Sequence, residues 1–160
     1  MKQKGFTLIE LLVVIAIIAV LAGALLIAIN PQSMIQKGRD SKRLQDIDTL
    51  VKAINLALAD SELLLAATVA PGVSTGSLVV TGAGWVSYTP IVGKTGLGKF
   101  ISTLPVDPLN TGANVYTYSS DGVNFELNAV LEHADNAAKM QTDGGNSATV
   151  YEMGTSLTIL

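Results

Sequence analysis

Glu10 is the first residue whose chemistry needs explaining. It is the one acid in the run KGFTLIELLVVIAII (Lys4 to Ile18), and apolar residues continue past it to Ile29. A carboxylate without a partner is costly in a dry medium. At the centre of a bilayer an acid costs about 3 kcal/mol on insertion scales. A charge placed here is either tolerated near a membrane edge or neutralised by a group supplied from elsewhere.

Other residues that could do chemistry are sparse. His133 is the single His, so a Ser-His-Asp triad would have to be built around it. Its neighbours Glu132 and Asp135 read as surface acids, and no nucleophile motif accompanies them. VGKTG (Val92 to Gly96) has the ending of a phosphate-binding loop, but Tyr88 stands where that pattern requires Gly. It reads as a Gly-rich loop. Asp107, Asn110, Asp121, Asn124 and Asp143 are oxygen donors in loop segments, the donor type that Ca²⁺ takes. They form no contiguous ligand loop, and Asp121 has a separate explanation as a turn residue. The expectation is no cofactor and no enzyme, with these five as secondary calcium candidates. Cys is absent, which excludes disulfides, thiolate zinc sites and Cys nucleophiles.

The elements that position these residues follow from hydropathy and spacing. Apolar residues make up 49% of the 160-residue chain and charged residues only 14%. That is too apolar for a disordered chain and points to a membrane segment. The formal charge of −3 is not that of a general nucleic-acid binder. From Leu11 to Ile29 no side chain is charged or strongly polar. As a helix, Phe6 to Ile29 would be about 36 Å long, enough to cross a hydrocarbon core of about 30 Å. Ala19 with Gly23 and Ala24 with Ala28 make small-xxx-small pairs, which permit close helix packing in lipid. The run is too long for a secretory signal and leads into Asn30-Pro31 rather than a cleavage site, so it reads as retained.

Pro31 should kink or interrupt the helix. Leu44, Ile47, Leu50, Val51, Ile54 and Leu58 then recur at spacings of three and four, an apolar stripe that carries the helix to about Ala59. Arg43, Gln45, Asp46, Asp48, Thr49 and Lys52 fall largely on other faces. Lys37, Arg39, Lys42 and Arg43 read as a solvated helix face or as donors to neighbouring copies. Beyond Glu62 the texture becomes β-like. Ser77 to Thr81 and Trp85 to Thr89 read as short strands, and Leu97 to Leu104 as a short helix stopped by Pro105. Asp121-Gly122 marks a hairpin. In its second strand Val123, Phe125, Leu127, Ala129 and Leu131 alternate with Asn124, Glu126, Asn128 and Glu132, which predicts one dry and one wet face. Thr149 to Met153 reads as a last strand. The fold class is α+β: a long N-terminal helix and a small, mainly antiparallel sheet domain. The expected divisions are 1–5, a leader; 6–30, an apolar helix; 31–62, an amphipathic helix; and 63–160, a β-rich domain.

The first residues, KGFTLIELLVVIAIIAVLA, resemble the start of type IV pilins and type II secretion pseudopilins. The resemblance rests on a short basic leader, Gly5-Phe6, the lone Glu10 and an immediate spanning helix. It is strong over about a third of the chain; NP……RDSKRLQDI and LPVDPLNTG…YTYSSDG…FELNA agree more loosely. It implies that a prepilin peptidase cuts after Gly5 and that Phe6 becomes N-methylated. Glu10 would neutralise the N-terminal amine of a neighbouring subunit and set its axial register. It further implies self-assembly into a helical filament, a cytoplasmic assembly ATPase and a single-pass stage in the cytoplasmic membrane with the C-terminal domain outside. Pilus and secretion roles are both covered by it. The basic cluster after the span argues for the opposite topology by the positive-inside rule, and the family resemblance decides for a cytoplasmic leader. Without Lys2 and Lys4, eight basic side chains face thirteen acidic ones, an acidic surface with no general hold on nucleic acid. The rival of a different class is a single-span anchored binding domain that keeps its leader.

Overall fold

The computed structural model describes residues 5–160, with Ile27 and Ala28 described by backbone alone. The basic leader's Lys2 and Lys4, and the Ala28 side chain of one small-residue pair, lie outside the described residues. The chain forms two compact units, residues 1–35 and 36–160. It is α+β: two long consecutive helices followed by short antiparallel strands.

Helix α1 spans Leu8–Ile29 and α2 spans Pro31–Ala59. Between them Asn30 adopts a left-handed conformation, φ 46°. Asn tolerates that region better than most residues, and Pro is well suited to a first helical position, where its missing N–H is no loss. Asn30 Oδ1 accepts from Ser33 N at 3.4 Å, so one residue closes the first helix and caps the second. The expected interruption at Pro31 is therefore a full helix stop and restart.

In the second unit, α2 presents Ile47, Leu50, Val51, Ala53, Ile54 and Ala57 to the core. They pack in one cluster with Tyr116, Tyr118, Phe125, Leu127 and Ala129 of the sheet. Full burial of each such Leu or Ile contributes about 1.5–3 kcal/mol. The main sheet has four antiparallel strands in the order β2 (Gly72–Val73), β4 (Tyr116–Ser120), β5 (Phe125–Ala129) and β6 (Tyr151–Gly154). A separate pair joins β1 (Leu63–Leu65) to β3 (Tyr88–Pro90). A short helix, α3 (Ala137–Thr142), precedes β6.

Several local expectations are corrected. Ser77 to Thr81 is not a strand: its carbonyls bond singly to Trp85 N and Leu104 N rather than to a neighbouring ladder. In Trp85 to Thr89 only Tyr88 and Thr89 are extended as a strand. The short helix before Pro105 is a 3₁₀ turn over Gly96–Lys99, begun by Gly96 at φ 60°. The hairpin turn occupies Asp121 to Asn124, so Val123 is exposed in the turn rather than buried in a strand. Asp121 Oδ1 accepts from the amides of Val123 and Asn124, and Gly122 takes φ 93°.

The predicted wet face of β5 is also dry: Glu126 is 0% and Asn128 8% exposed. Residues far along the chain cover it. Glu126 Oε2 accepts from Ile159 N at 2.7 Å and Leu160 N at 3.0 Å, and Gly145 lies against Glu152 of the adjoining strand. Alternation within a strand identifies two faces but not what later packs upon them.

Candidate functional site

Thr7 begins the N-terminal arrangement. Its extended backbone, φ −82° and ψ 150°, precedes the first residue of α1. Thr7 Oγ1 accepts from Glu10 N at 3.3 Å, and Glu10 Oε2 accepts from Thr7 N at 2.8 Å and from Thr7 Oγ1 at 2.6 Å. This is a reciprocal capping box. It satisfies amides that an α-helix leaves unpaired at its start. It also sets a carboxylate at the positive end of the helix dipole. Glu10 thus has a partner within its own chain. The Thr-x-x-Glu spacing was the sequence signal for this, and Thr7 is the residue that reading by hydropathy alone overlooks.

Gly5 and Phe6 stand outside the helix, and Phe6 is 80% exposed. A Cβ built on Gly5 would meet nothing within 4 Å. The Gly5–Phe6 peptide is therefore open to a protease, and cutting it would remove no helical hydrogen bond. Beyond it, Phe6, Ile9, Val13 and Val14 form an apolar groove around Glu10. Leu8–Leu26 is long and apolar enough to cross a membrane, and none of it is buried by the fold.

Of the basic residues 37–43, Lys37 and Lys42 are exposed, as on a solvated face, whereas Arg39 and Arg43 turn inward. Arg43 is fully buried, as is Asp40. Arg43 donates from Nε to Asp107 at 2.6 Å, from Nη2 to the other Asp107 oxygen at 3.0 Å and from Nη1 to Asp40 at 2.9 Å. Its Nη1 also lies 2.5 Å from Glu132. Arg39 holds Glu132 through Nε at 2.8 Å and Nη2 at 2.5 Å. Lys37 pairs with Asp135 and Lys42 with Asp46, which also accepts from the Tyr116 hydroxyl at 3.0 Å. All four cations therefore have partners within the chain. Helical spacing did not reveal the inward turn of Arg39 and Arg43 because Asp107 and Glu132, which meet them, are distant in sequence.

The charged forms are held by this geometry. Burial opposes the Arg43 charge, but Asp107, Glu132 and Asp40 outweigh it and raise its pKa further. Burial likewise opposes ionised Asp40, yet the amides of Glu132 and His133, the Asn136 side chain and Arg43 bring its pKa below the ordinary value. The bonds from Arg39, and then those from Arg43, overcome burial and lower Glu132 from 4.5 to about 2.

The five calcium candidates fall in three places. Asp107 serves Arg43 and the amides of Leu109 and Asn110, while Asn110 Oδ1 accepts from Ser74. Asp121 and Asn124 form the hairpin turn. Asp143 accepts from Gly145 N and Glu152 N. Among the described residues no three or more His, Cys, Asp or Glu are grouped to hold a metal ion. His133 Nδ1 accepts from Asp135 N and opens a 3₁₀ turn. Lys94 of the VGKTG loop reaches Glu62 at 3.6 Å.

Residues 1–26 match the family model of the prokaryotic N-terminal methylation motif. That motif is the signature of type IV pilins and pseudopilins, and the match is confined to the N-terminal segment of the chain. No curated protein and no solved structure matches the chain.

Removing Arg43 would leave buried Asp40 and Asp107 without a cation among the described residues, while Glu132 would keep Arg39. Arg43→Ala is expected to destabilise the second unit by about 3–5 kcal/mol, measured by urea unfolding of the full chain in detergent. Because the Glu132 pKa is depressed, its contribution is complete above pH 4.5 and is lost as pH falls towards about 2. Unfolding midpoints taken across that interval should fall with pH, and Glu132→Gln should flatten this slope.

Proposed function

We propose that this chain is a structural, non-catalytic subunit of a type IV pilus-like filament. It is made as a precursor anchored in the cytoplasmic membrane by α1, cut after Gly5 by a prepilin peptidase and methylated at Phe6. It then polymerises through α1 with the help of a cytoplasmic assembly ATPase, the sheet domain lying outside the cytoplasm. The observation that carries this reading is the methylation motif on a helix that its own fold leaves bare. Lipid covers such a helix before assembly, and other copies cover it afterwards. A secretion pseudopilus would use the same subunit chemistry.

Cutting at Gly5 leaves a cationic amine on Phe6, next to the groove that holds Glu10. In the apolar interior of a filament that amine and the Glu10 of a neighbouring copy attract more strongly than they would in water. Contacts of this kind use different surfaces on the two partners, so they extend into a helical filament rather than close.

Intact mass and peptide mapping of the protein from its native membrane should give a chain beginning at N-methylated Phe6. A chain still beginning at Met1 would favour the uncut, anchored binding domain instead. Two Glu10 variants separate its cap from its charge. Gln can complete a capping box, so Glu10→Gln keeps the cap and removes the charge, whereas Glu10→Val removes both. Both should be processed, and both should lose most of their filament yield by electron microscopy when each is the sole subunit. Normal yield from Glu10→Gln would assign Glu10 to the cap alone.

A further inference from the structure

Glu126 and Glu152 lie on one face of the β5–β6 pair. Asn128 follows Glu126 by two residues and stands directly opposite Glu152. The two carboxyl groups are 0% and 1% exposed. Each uses Oε2 to hold covering backbone: Glu126 takes the amides of Ile159 and Leu160, and Glu152 takes that of Ser147 at 3.0 Å. The other oxygen of each, Oε1, is buried with no hydrogen-bond donor. Two buried carboxylates on one face of a strand pair cannot both carry charge cheaply. A hydrogen carried on Glu152 Oε1 and accepted by Glu126 Oε1 would satisfy both.

We infer that Glu126 and Glu152 share a single proton, and that this proton fastens the 143–147 loop and the 157–160 segment to the sheet, so that rising pH loosens both. The surroundings favour the proton. From the covering loop Asp143, a third acid, accepts from Glu152 N at 2.9 Å. Lys139 of α3 is exposed, and no ion pair among the described residues reaches Glu126 or Glu152. Burial first, and then Glu126 and Asp143, raise the Glu152 pKa against the Ser147 amide. A raised acid contributes fully below its ordinary 4.5 and loses that contribution as pH rises through the folded value. This pH dependence runs opposite to that of Glu132.

The test uses the full chain in detergent and the variant Glu152→Gln, whose amide N–H can replace the proton and whose carbonyl can keep the Ser147 bond. Below pH 4.5 the two proteins should share one Tm; above it the wild type should fall progressively behind. After correction for intrinsic exchange, opening at the Ile159 and Leu160 amides should rise in the wild type by up to about tenfold per pH unit and stay flat in the variant. If the variant does not fold, difference infrared spectra of the wild type decide: a protonated-carboxyl band that titrates above pH 4.5 supports the inference, and its absence overturns it. Parallel pH profiles in the two proteins would also overturn it. So would a Tm rise with added Ca²⁺ at pH 7.5 that Glu152→Gln abolishes. That result would give the two Oε1 atoms, together with the donor-free Asn128 Oδ1, to a cation.

Discussion

A 22-residue apolar helix that its own chain leaves uncovered is the constraint on which the rest depends. Leu8, Ile9, Val20, Leu21 and Leu26 are each more than 60% exposed. Water cannot solvate such a surface without a large hydrophobic penalty. The second unit has a closed core of its own, in which α2 supplies one side and the sheet the other. The chain thus separates two parts: residues 36–160 fold around an internal core, while Leu8–Leu26 is left without cover from its own chain.

The treatment of charge follows from that separation. In the apolar unit the only acid occupies the third position of a helix, where backbone amides and the helix dipole receive it. The cap explains how Glu10 is tolerated in a lone chain, and under the proposed processing a free Phe6 amine would give it a second partner. In the second unit charge is buried deeply, but with opposing groups close at hand. Arg43 meets three carboxylates, and Asp40 adds two backbone amides and the Asn136 amide. These bonds tie α2 to the loops around residues 107 and 132. The Glu126–Glu152 pair is the exception: no ion pair among the described residues reaches it, and the proton inferred above takes that place.

The parts legible in the sequence were those governed by local pattern. The length of α1, the stop at Asn30-Pro31, the end of α2 at Ala59 and the Asp-Gly hairpin all follow from neighbours a few residues apart. Gly5, Phe6 and Glu10 were recognisable from their mutual spacing, whereas Thr7 required attention to capping rather than hydropathy. Arg43 was illegible because its partners lie 64 and 89 residues away. Glu126 was misplaced for the same reason: the segment that covers it comes 33 residues later. The short β1–β3 pair is held by Leu63 and Tyr88 entering the common core, a long-range cause with no periodic trace in runs of three residues.

The central claim is that copies of this chain replace lipid around α1. The absence of Cys allows a single reporter to be introduced cleanly. Val20→Cys places a thiol at a site that is 73% exposed in the isolated chain. Cross-linking with a short bis-maleimide, in native membranes and in sheared extracellular material, is the direct measurement. The account predicts covalent dimers from Phe6-initiated chains in the sheared material, and none when the prepilin peptidase is absent. Processed chains that remain monomeric, with the introduced thiol still facing lipid, would contradict it.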